Sequence, residues 1–298
     1  MSQEILSKLN TTHIEEISSS RNEPEWLKDY RKNSLSVYDN LPLETSPLYN
    51  KYTDAKKMDP DKVSLSTTTA ETIPSFLQKR LGELENEICI IQIGTNIHKI
   101  NLPDELKSKG LVISSISDAI QNNSELVKKA LEASSSEEDR FTALNNAAFN
   151  SGIFIHIPRN FILEKPIYFL TCLSEDGHST ISRNVIFADE SSKAAIVQEL
   201  YSPKIETQQA YLELMNTNVG DNAQLDVTTL QMLDQSAVTF STKRTDLGQD
   251  AKVNWYSGLF GSMLSRYKIE YFLNGTGASS NDSEVIFGNN EQSFDIQT

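Results

Sequence analysis

Soft-metal chemistry in this 298-residue chain would have to come from two cysteines and four histidines. Thiolate and imidazole are the side chains that suit soft metals and iron–sulfur clusters. Cys172 and His178 lie six apart across Leu-Ser-Glu-Asp-Gly, and with His156 they form the candidate ligand set. A cluster normally takes about four ligands, and the chain has no CxxC pair. The competing reading is a buried strand cysteine beside an exposed loop histidine, because free cysteine behaves as a small hydrophobe. His156 alternates with Phe154 and Ile155 as a structural strand residue would, and Cys89 lies in an apolar run that marks it as core.

Acid–base chemistry would have to come from carboxylates. Asp226, with Asp221, Asp250 and Glu270, could gather into an acidic stripe of the kind that polysaccharide-cleaving enzymes place on one face. The plainer reading is a solvated face, since the formal net charge is −14. There is no P-loop, no GxGxxG and no nucleophile elbow. Any ATP hydrolysis must therefore come from a partner.

The elements that would position these residues repeat. Ser192-Lys-Ala-Ala-Ile196, Ala223-Gln-Leu-Asp-Val227, Ala251-Lys-Val-Asn-Trp255 and Ala278-Ser-Ser-Asn-Asp282 start 31, 28 and 27 residues apart. Each follows a turn: Ala188-Asp-Glu-Ser191, Val219-Gly-Asp-Asn222, Leu247-Gly-Gln-Asp250 and Asn274-Gly-Thr-Gly277. Leu225 and Val227, like Val253 and Trp255, alternate with polar neighbours, which predicts strands with one buried face. Tyr267, Ile269, Tyr271 and Leu273 predict a second strand per unit. The glycines fit turn positions with positive φ. One unit cannot bury its own apolar face, so units must stack. The pattern predicts a mainly β chain, a right-handed parallel β-helix of two-strand repeats; an antiparallel sandwich is the alternative that the spacing also allows.

Residues 1–45 predict an N-terminal helical segment, with Asn22 as N-cap and Pro42 as stop. Residues 46–152 predict a linker, rich in Pro, Ser and Thr over 43–72, and then a small α/β module. In that module, Ile88–Ile93 and Ile97–Leu102 make a hairpin around Gly94-Thr-Asn96, and Leu111–Ile116 is a third strand. Ser136-Glu-Glu-Asp139 predicts a capping box for a helix through Asn150. The β-helix core then fills 153–298.

Neither half of the chain is basic, which argues against a nucleic-acid groove. The start has no basic n-region followed by an apolar run, and the longest apolar stretch is too short to span a bilayer. Two cysteines make no disulfide framework, and a reduced, cytoplasmic protein is expected.

Three stretches resemble the SufB/SufD family, the scaffolds of the SUF iron–sulfur cluster assembly system. They are Glu23-Pro-Glu-Trp-Leu-Lys-Asp-Tyr-Arg31 with Asn40-Leu-Pro-Leu43; Asp139-Arg-Phe-Thr-Ala-Leu-Asn145 with Gly152-Ile-Phe-Ile-His-Ile-Pro-Arg159; and the repeat, with Tyr211-Leu, Ser241-Thr-Lys-Arg244 and 288–298. The short 74–135 module is more similar to SufD than to SufB.

The resemblance implies a non-enzymatic scaffold that pairs with a SufB-like protein and a SufC-like ATPase. A homodimer is the other pairing considered. It implies no resident cofactor on this chain. At the level of the complex it implies a transient iron–sulfur cluster and an associated reduced flavin, for which the sequence holds no motif. Family members continue past the position of Thr298 through more β-helix and a helical domain, so the chain is expected to be a fragment. The alternative function is a cytosolic β-helix enzyme acting on carbohydrate through the acidic face.

Overall fold

The computed structural model describes residues 9–41, 64–65, 73–174 and 178–298. The expected helix stop at Pro42 and nearly all of the 43–72 connector lie outside the described residues. So does Glu175–Gly177, inside the Cys172–His178 loop.

The repeat folds as a parallel β-solenoid of about five turns. In chain order the first elements are α1 (Thr11–Ser20), α2 (Glu25–Asn40), β1 (Ser64–Leu65), a 3-10 turn (Ser75–Leu77), α3 (Gln78–Glu83), β2 (Cys89–Ile93) and β3 (Asn96–Asn101). Then come α4 (Asp104–Ser108), β4 (Val112–Ser115), α5 (Ile116–Asn122), α6 (Ser124–Glu132) and α7 (Arg140–Ala148). The solenoid strands are β5 (Ile153–Ile157), β6 (Ile167–Cys172), β7 (His178–Ala188), β8 (Lys193–Tyr201), β9 (Gln209–Val219) and β10 (Gln224–Met232). They continue as β11 (Ala237–Leu247), β12 (Lys252–Leu259), β13 (Leu264–Leu273), β14 (Ser279–Ile286) and β15 (Ser293–Gln297).

The strands divide into two facing sheets. Sheet I runs β15-β13-β11-β9-β7-β5-β4, with β1 beside β7, and sheet II runs β14-β12-β10-β8-β6-β2-β3. Sheet II pairs Lys193 with Gln224, Gln224 with Lys252 and Lys252 with Ser279, the same 31, 28 and 27 residues apart as in the sequence. Each chain turn therefore adds one strand to each sheet, and the spacing is the length of one coil. The hairpin β2–β3 and the antiparallel pair β4–β5 close the first coil.

Period-two alternation buries Ala194, Ile196, Leu225, Val227, Val253 and Trp255 in the lumen against Ile186, Met215, Val219, Tyr267 and Ile269. Trp255 and Ala251 are both fully buried. Leu273, expected inside, is half exposed.

The corners depart from expectation. At the corners that lead from sheet I to sheet II, the residues with positive φ are Asn160, Ser191, Asn222, Asp250 and Gly277, one per coil. Each of the first four donates its N–H to the next coil: Asn160 to Glu190, Ser191 to Asp221, Asn222 to Gln249 and Asp250 to Thr276. Gly220, Gly248 and Gly275 are needed for close approach instead. A Cβ on Gly220 would lie 2.9 Å from Glu190 N, and one on Gly275 only 2.1 Å from Gln249 N. The glycines let corners stack, while Asn and Asp, which tolerate the left-handed region, make the turns.

A helical layer covers the outer face of sheet I. Ile14, Leu27, Leu35, Val127, Leu131, Leu144 and Phe149 pack against Ile181, Val185, Leu212 and Phe240, and Phe141 stacks on Phe240 with centroids 4.1 Å apart. Arginines cap the helix C-termini, where the dipole favours a cation. Arg31 donates to Ala147 O of α7, Arg183 to Ala130 O of α6 and Arg140 to Leu41 O beyond α2.

The N-terminal segment is helical over the described residues, in two helices, and Asn10 caps α1. Three local expectations are corrected. Asn22 is not a cap: it is left-handed, and α2 starts after Pro24. The reversal sends Glu23 inward to the buried Arg31, 2.7 Å away. Asp139, not Ser136, caps α7 through Thr142 N, and the helix ends at Ala148.

Candidate functional site

The residues singled out for metal chemistry do not converge. Cys172 ends β6 on sheet II, where its Sγ lies 3.3 Å from Leu173 O. It is buried with Cys89, Ile91 and Leu170 beneath Leu77 and Leu84. Burial pushes the Cys89 thiol up, away from the thiolate that metals prefer. His178 opens β7 on sheet I, where it pairs with Ser64 of β1. His156 is half-buried on β5, with Nε2 2.8 Å from Asp189 Oδ2. Among the described residues, no three His, Cys, Asp or Glu side chains are grouped to hold a metal ion.

The acidic stripe is not one. Asn254 Nδ2 donates to Asp226 Oδ1 at 2.7 Å, and Asn281 Nδ2 donates to Asn254 Oδ1 at 3.1 Å. This is a side-chain ladder along neighbouring coils, and it joins β10, β12 and β14. Asp221 Oδ1 accepts the Gln249 N–H at a corner. Glu270 is on the opposite sheet, 2.9 Å from Arg244 Nε and 2.6 Å from Lys268 Nζ. The four carboxylates do not share one face, since Asp226 and Glu270 stand on opposite sheets.

The polar chemistry lies inside the lumen, at residues that were not among the site candidates, although Tyr211, Ser241 and Lys243 fall in the stretches that carry the family resemblance. Glu213 on β9 and Lys243 on β11 form an ion pair at 2.7 Å with both side chains fully enclosed. Alternation put them there. Tyr211, Glu213 and Met215 share the inward face of β9, and Ser241 and Lys243 share that of β11. Parallel register sets Glu213 beside Ser241 and Met215 beside Lys243. Gln198 reaches across from β8 of sheet II.

Enclosed charges lose their hydration, so the site must supply partners. Glu213 Oε1 accepts from Asn184 Nδ2 at 2.7 Å, Gln198 Nε2 at 2.5 Å and the Tyr211 hydroxyl at 3.2 Å. Its Oε2 accepts from Ser241 Oγ at 2.6 Å and Lys243 Nζ at 2.7 Å. Lys243 donates also to Gln198 Oε1 at 2.6 Å, which takes a second bond from Thr229. The Trp255 and Tyr267 rings lie 5.6 Å from the ammonium.

Burial alone would raise the Glu213 carboxyl. The Lys243 charge and the bonds from Lys243, Ser241 and Gln198 outweigh it and hold the group below its ordinary value. Burial lowers Lys243, with Glu213 opposing. Burial also carries Tyr211 well above its ordinary value, so it stays a hydrogen-bond donor. The cluster continues through Ser182 to Asn184 on β7, and Ser257 and Tyr267 bond at 2.9 Å one coil further on. It is a stripe of polar groups along the solenoid axis that holds two opposite charges and offers several exchangeable protons. Its members are packed against one another.

Arg183, on the outward face of β7, is fully buried. It is bound by Asn146 Oδ1 at 2.6 Å and Ala130 O at 3.1 Å, and burial brings it down to about 10. It ties the helical layer to the coil that carries Asn184.

The signal for the lumen site was present as polar residues at inward positions: Glu213 and Lys243 keep the phase of buried Met215 and Leu247. Recognising it requires knowing which alternate set faces the lumen and which coils are neighbours.

The family model for the SufBD protein N-terminal region matches residues 6–169, and that for the SUF system FeS cluster assembly SufBD core domain matches residues 171–298. A Staphylococcus aureus (strain USA300) protein described as an iron–sulfur cluster assembly SufBD family protein is 26% identical over 295 residues, covering 94% of this chain. A Staphylococcus saprophyticus protein of the same description is 25% identical over the same length. The chain spans 62% of the length of these relatives.

Proposed function

The chain belongs to the SufBD family of iron–sulfur cluster assembly proteins, and from that premise we propose that it serves as a non-enzymatic scaffold of a SUF complex in the cytoplasm. The observation that carries this reading is the two family regions in order along nearly the whole chain, on a solenoid joined to a helical layer. We assign it the SufD-like place, beside a SufB-like protein and a SufC-like ATPase that supplies the nucleotide chemistry. The assignment rests on the short 74–135 module. We keep the division into an N-terminal helical segment to 45, a linker and small module over 46–152 and a solenoid core from 153.

The iron–sulfur cluster is cargo of such a complex. Cys172, His178 and His156 stay proposals for contact with it from separate places on the fold, and no pair of them shares a site among the described residues. A flavin does not fit the lumen site: Glu213, Lys243, Tyr211 and Trp255 are closed over by their neighbours. The carbohydrate reading loses its chemical basis with the acidic stripe, whose members are bonded to amides, backbone or arginine.

Co-expression tests the proposal. The protein carrying this solenoid is tagged and produced with a SufB-like protein and a SufC-like ATPase. Co-elution of all three is expected. Elution of the tagged protein alone, with both candidates present and folded, would overturn the scaffold reading.

A further inference from the structure

The last three corners that lead from sheet I to sheet II each carry a glycine, Gly220, Gly248 and Gly275, lying over the corner before, and the residue ahead of that glycine varies. Gly220 and Gly248 follow Val219 and Leu247, which end β9 and β11 and point into the lumen. At the next corner one extra residue intervenes. Leu247 pairs with Leu273, yet Gly248 lies under Gly275, whose Cβ position would be 2.2 Å from Gly248 C. The extra residue is Asn274, and it makes the single Asn-Gly pair in the chain.

Asn-Gly is the dipeptide in which ring closure between side chain and backbone is least hindered, because glycine has no Cβ to crowd the attacking nitrogen. We propose that Asn274 is a deamidation site whose reaction the folded corner holds in check. The Gly275 backbone nitrogen loses its proton and attacks Asn274 Cγ. The Cγ–Nδ2 bond breaks, ammonia leaves, and a five-membered succinimide remains. Water then opens the ring to aspartate or isoaspartate.

Both reacting groups are engaged in the fold. The Gly275 N–H donates to Leu247 O at 3.1 Å, an acceptor it shares with the Asn274 N–H. Asn274 Nδ2 donates to Asp246 Oδ1 at 3.0 Å. Ring closure requires both bonds to break, so the reaction passes through local opening of the corner between β13 and β14. Asn274 is exposed, so water reaches the ring once formed. The product sets a carboxylate against Asp246 in place of an amide donor, and like-charge repulsion then opposes reclosure. The glycine that permits coil stacking thereby also records how often this corner opens.

The test is peptide mapping by mass spectrometry after incubation in mildly alkaline buffer, folded and in urea. The unfolded chain is expected to deamidate at Asn274 faster by about tenfold or more, the ratio that local opening sets. Asp246→Ala, checked for an unchanged circular dichroism spectrum, is expected to speed the folded reaction. Asn274→Gln should abolish the mass shift in that peptide. Equal rates in folded and unfolded chains would overturn the proposal, and so would absence of the shift in both. If Asp246→Ala fails to fold, the comparison of folded and unfolded wild type still decides.

Discussion

Glu213 and Lys243 face each other at 2.7 Å inside the lumen, on neighbouring strands of one sheet, with neither side chain exposed. A buried pair of this kind stabilises little on balance, but removing one partner strands the other. Lys243→Met or Glu213→Gln alone is expected to cost about 3–5 kcal/mol. The double variant Glu213→Leu/Lys243→Met is expected to cost clearly less than the two single changes combined. Urea unfolding of the four chains gives the coupling, and strict additivity would show that the two groups do not act as a pair.

Acid should act through the same carboxylate and two others. Glu23, Glu213 and Glu270 are each buried to a degree that alone would raise them. Arg31 outweighs this for Glu23, Lys243 for Glu213, and Lys268 with Arg244 for Glu270, so all three are held below the ordinary 4.5. A depressed folded value gives stability that is present above 4.5 and lost as pH falls through the folded values. Melting temperature should therefore drop on going below 4.5. A flat profile across that range would show that these carboxylates are not held in their charged form.

Corner stacking makes an ordered prediction. Gly275→Ala places a methyl 2.1 Å from backbone nitrogen, and Gly220→Ala places one at 2.9 Å. The former should be the more destabilising, by about 1–3 kcal/mol as overpacking typically costs. Asn222→Val, at φ 58°, should cost roughly 1–2 kcal/mol through left-handed strain. Thermal melts that rank the two glycines the other way would refute the close-approach account.

The lumen packing is testable at two fully buried positions. Ala251→Leu should destabilise by about 1–3 kcal/mol by overfilling a corner. Trp255→Ala should cost about 3–5 kcal/mol as a large cavity forms beside Lys243. An unchanged melting temperature for Ala251→Leu would mean the corner has free space.

The helical layer should loosen when its arginine is lost. Arg31→Leu leaves Glu23 buried without its charge partner, at a cost of about 3–5 kcal/mol, and removes the bond to Ala147 O. Hydrogen exchange should speed first in α1, α2 and α7, with the β8–β12 strands still protected. Uniform loss of protection would instead show that layer and solenoid unfold as one unit.

Most of the fold was legible because a solenoid writes its geometry into its period. The 31, 28 and 27 residue steps became strand register without change, since one coil adds one strand to each sheet. Alternation around Leu225, Val227, Val253 and Trp255 assigned the lumen face, because a strand presents every second side chain to the same side. Local capping was less legible. Asn22 has the chemistry of an N-cap, but the chain reverses there so that Glu23 can meet Arg31, eight residues on. Gly277 has the positive φ expected of it, but Gly220, Gly248 and Gly275 marked the corners for another reason: their need arises between coils, and nothing within one turn reveals a neighbour stacked upon it.

The candidate site divides along the same line. Cys172 and His178 are neighbours in sequence, yet they open onto different sheets, and short spacing across a sheet-to-sheet loop carries no promise of convergence. Asp226 and Glu270 share a charge but stand on opposite faces. Glu213, Lys243 and Gln198 are remote in sequence and of types usually found in water, so nothing local draws them together. The linear order of residues was enough to set the coil length, the inward residues of β10 and β12 and the family. Tertiary structure decided which inward polar groups meet, because their contacts run between coils and across the lumen, and only stacking brings residues 15 to 45 positions apart within hydrogen-bond reach.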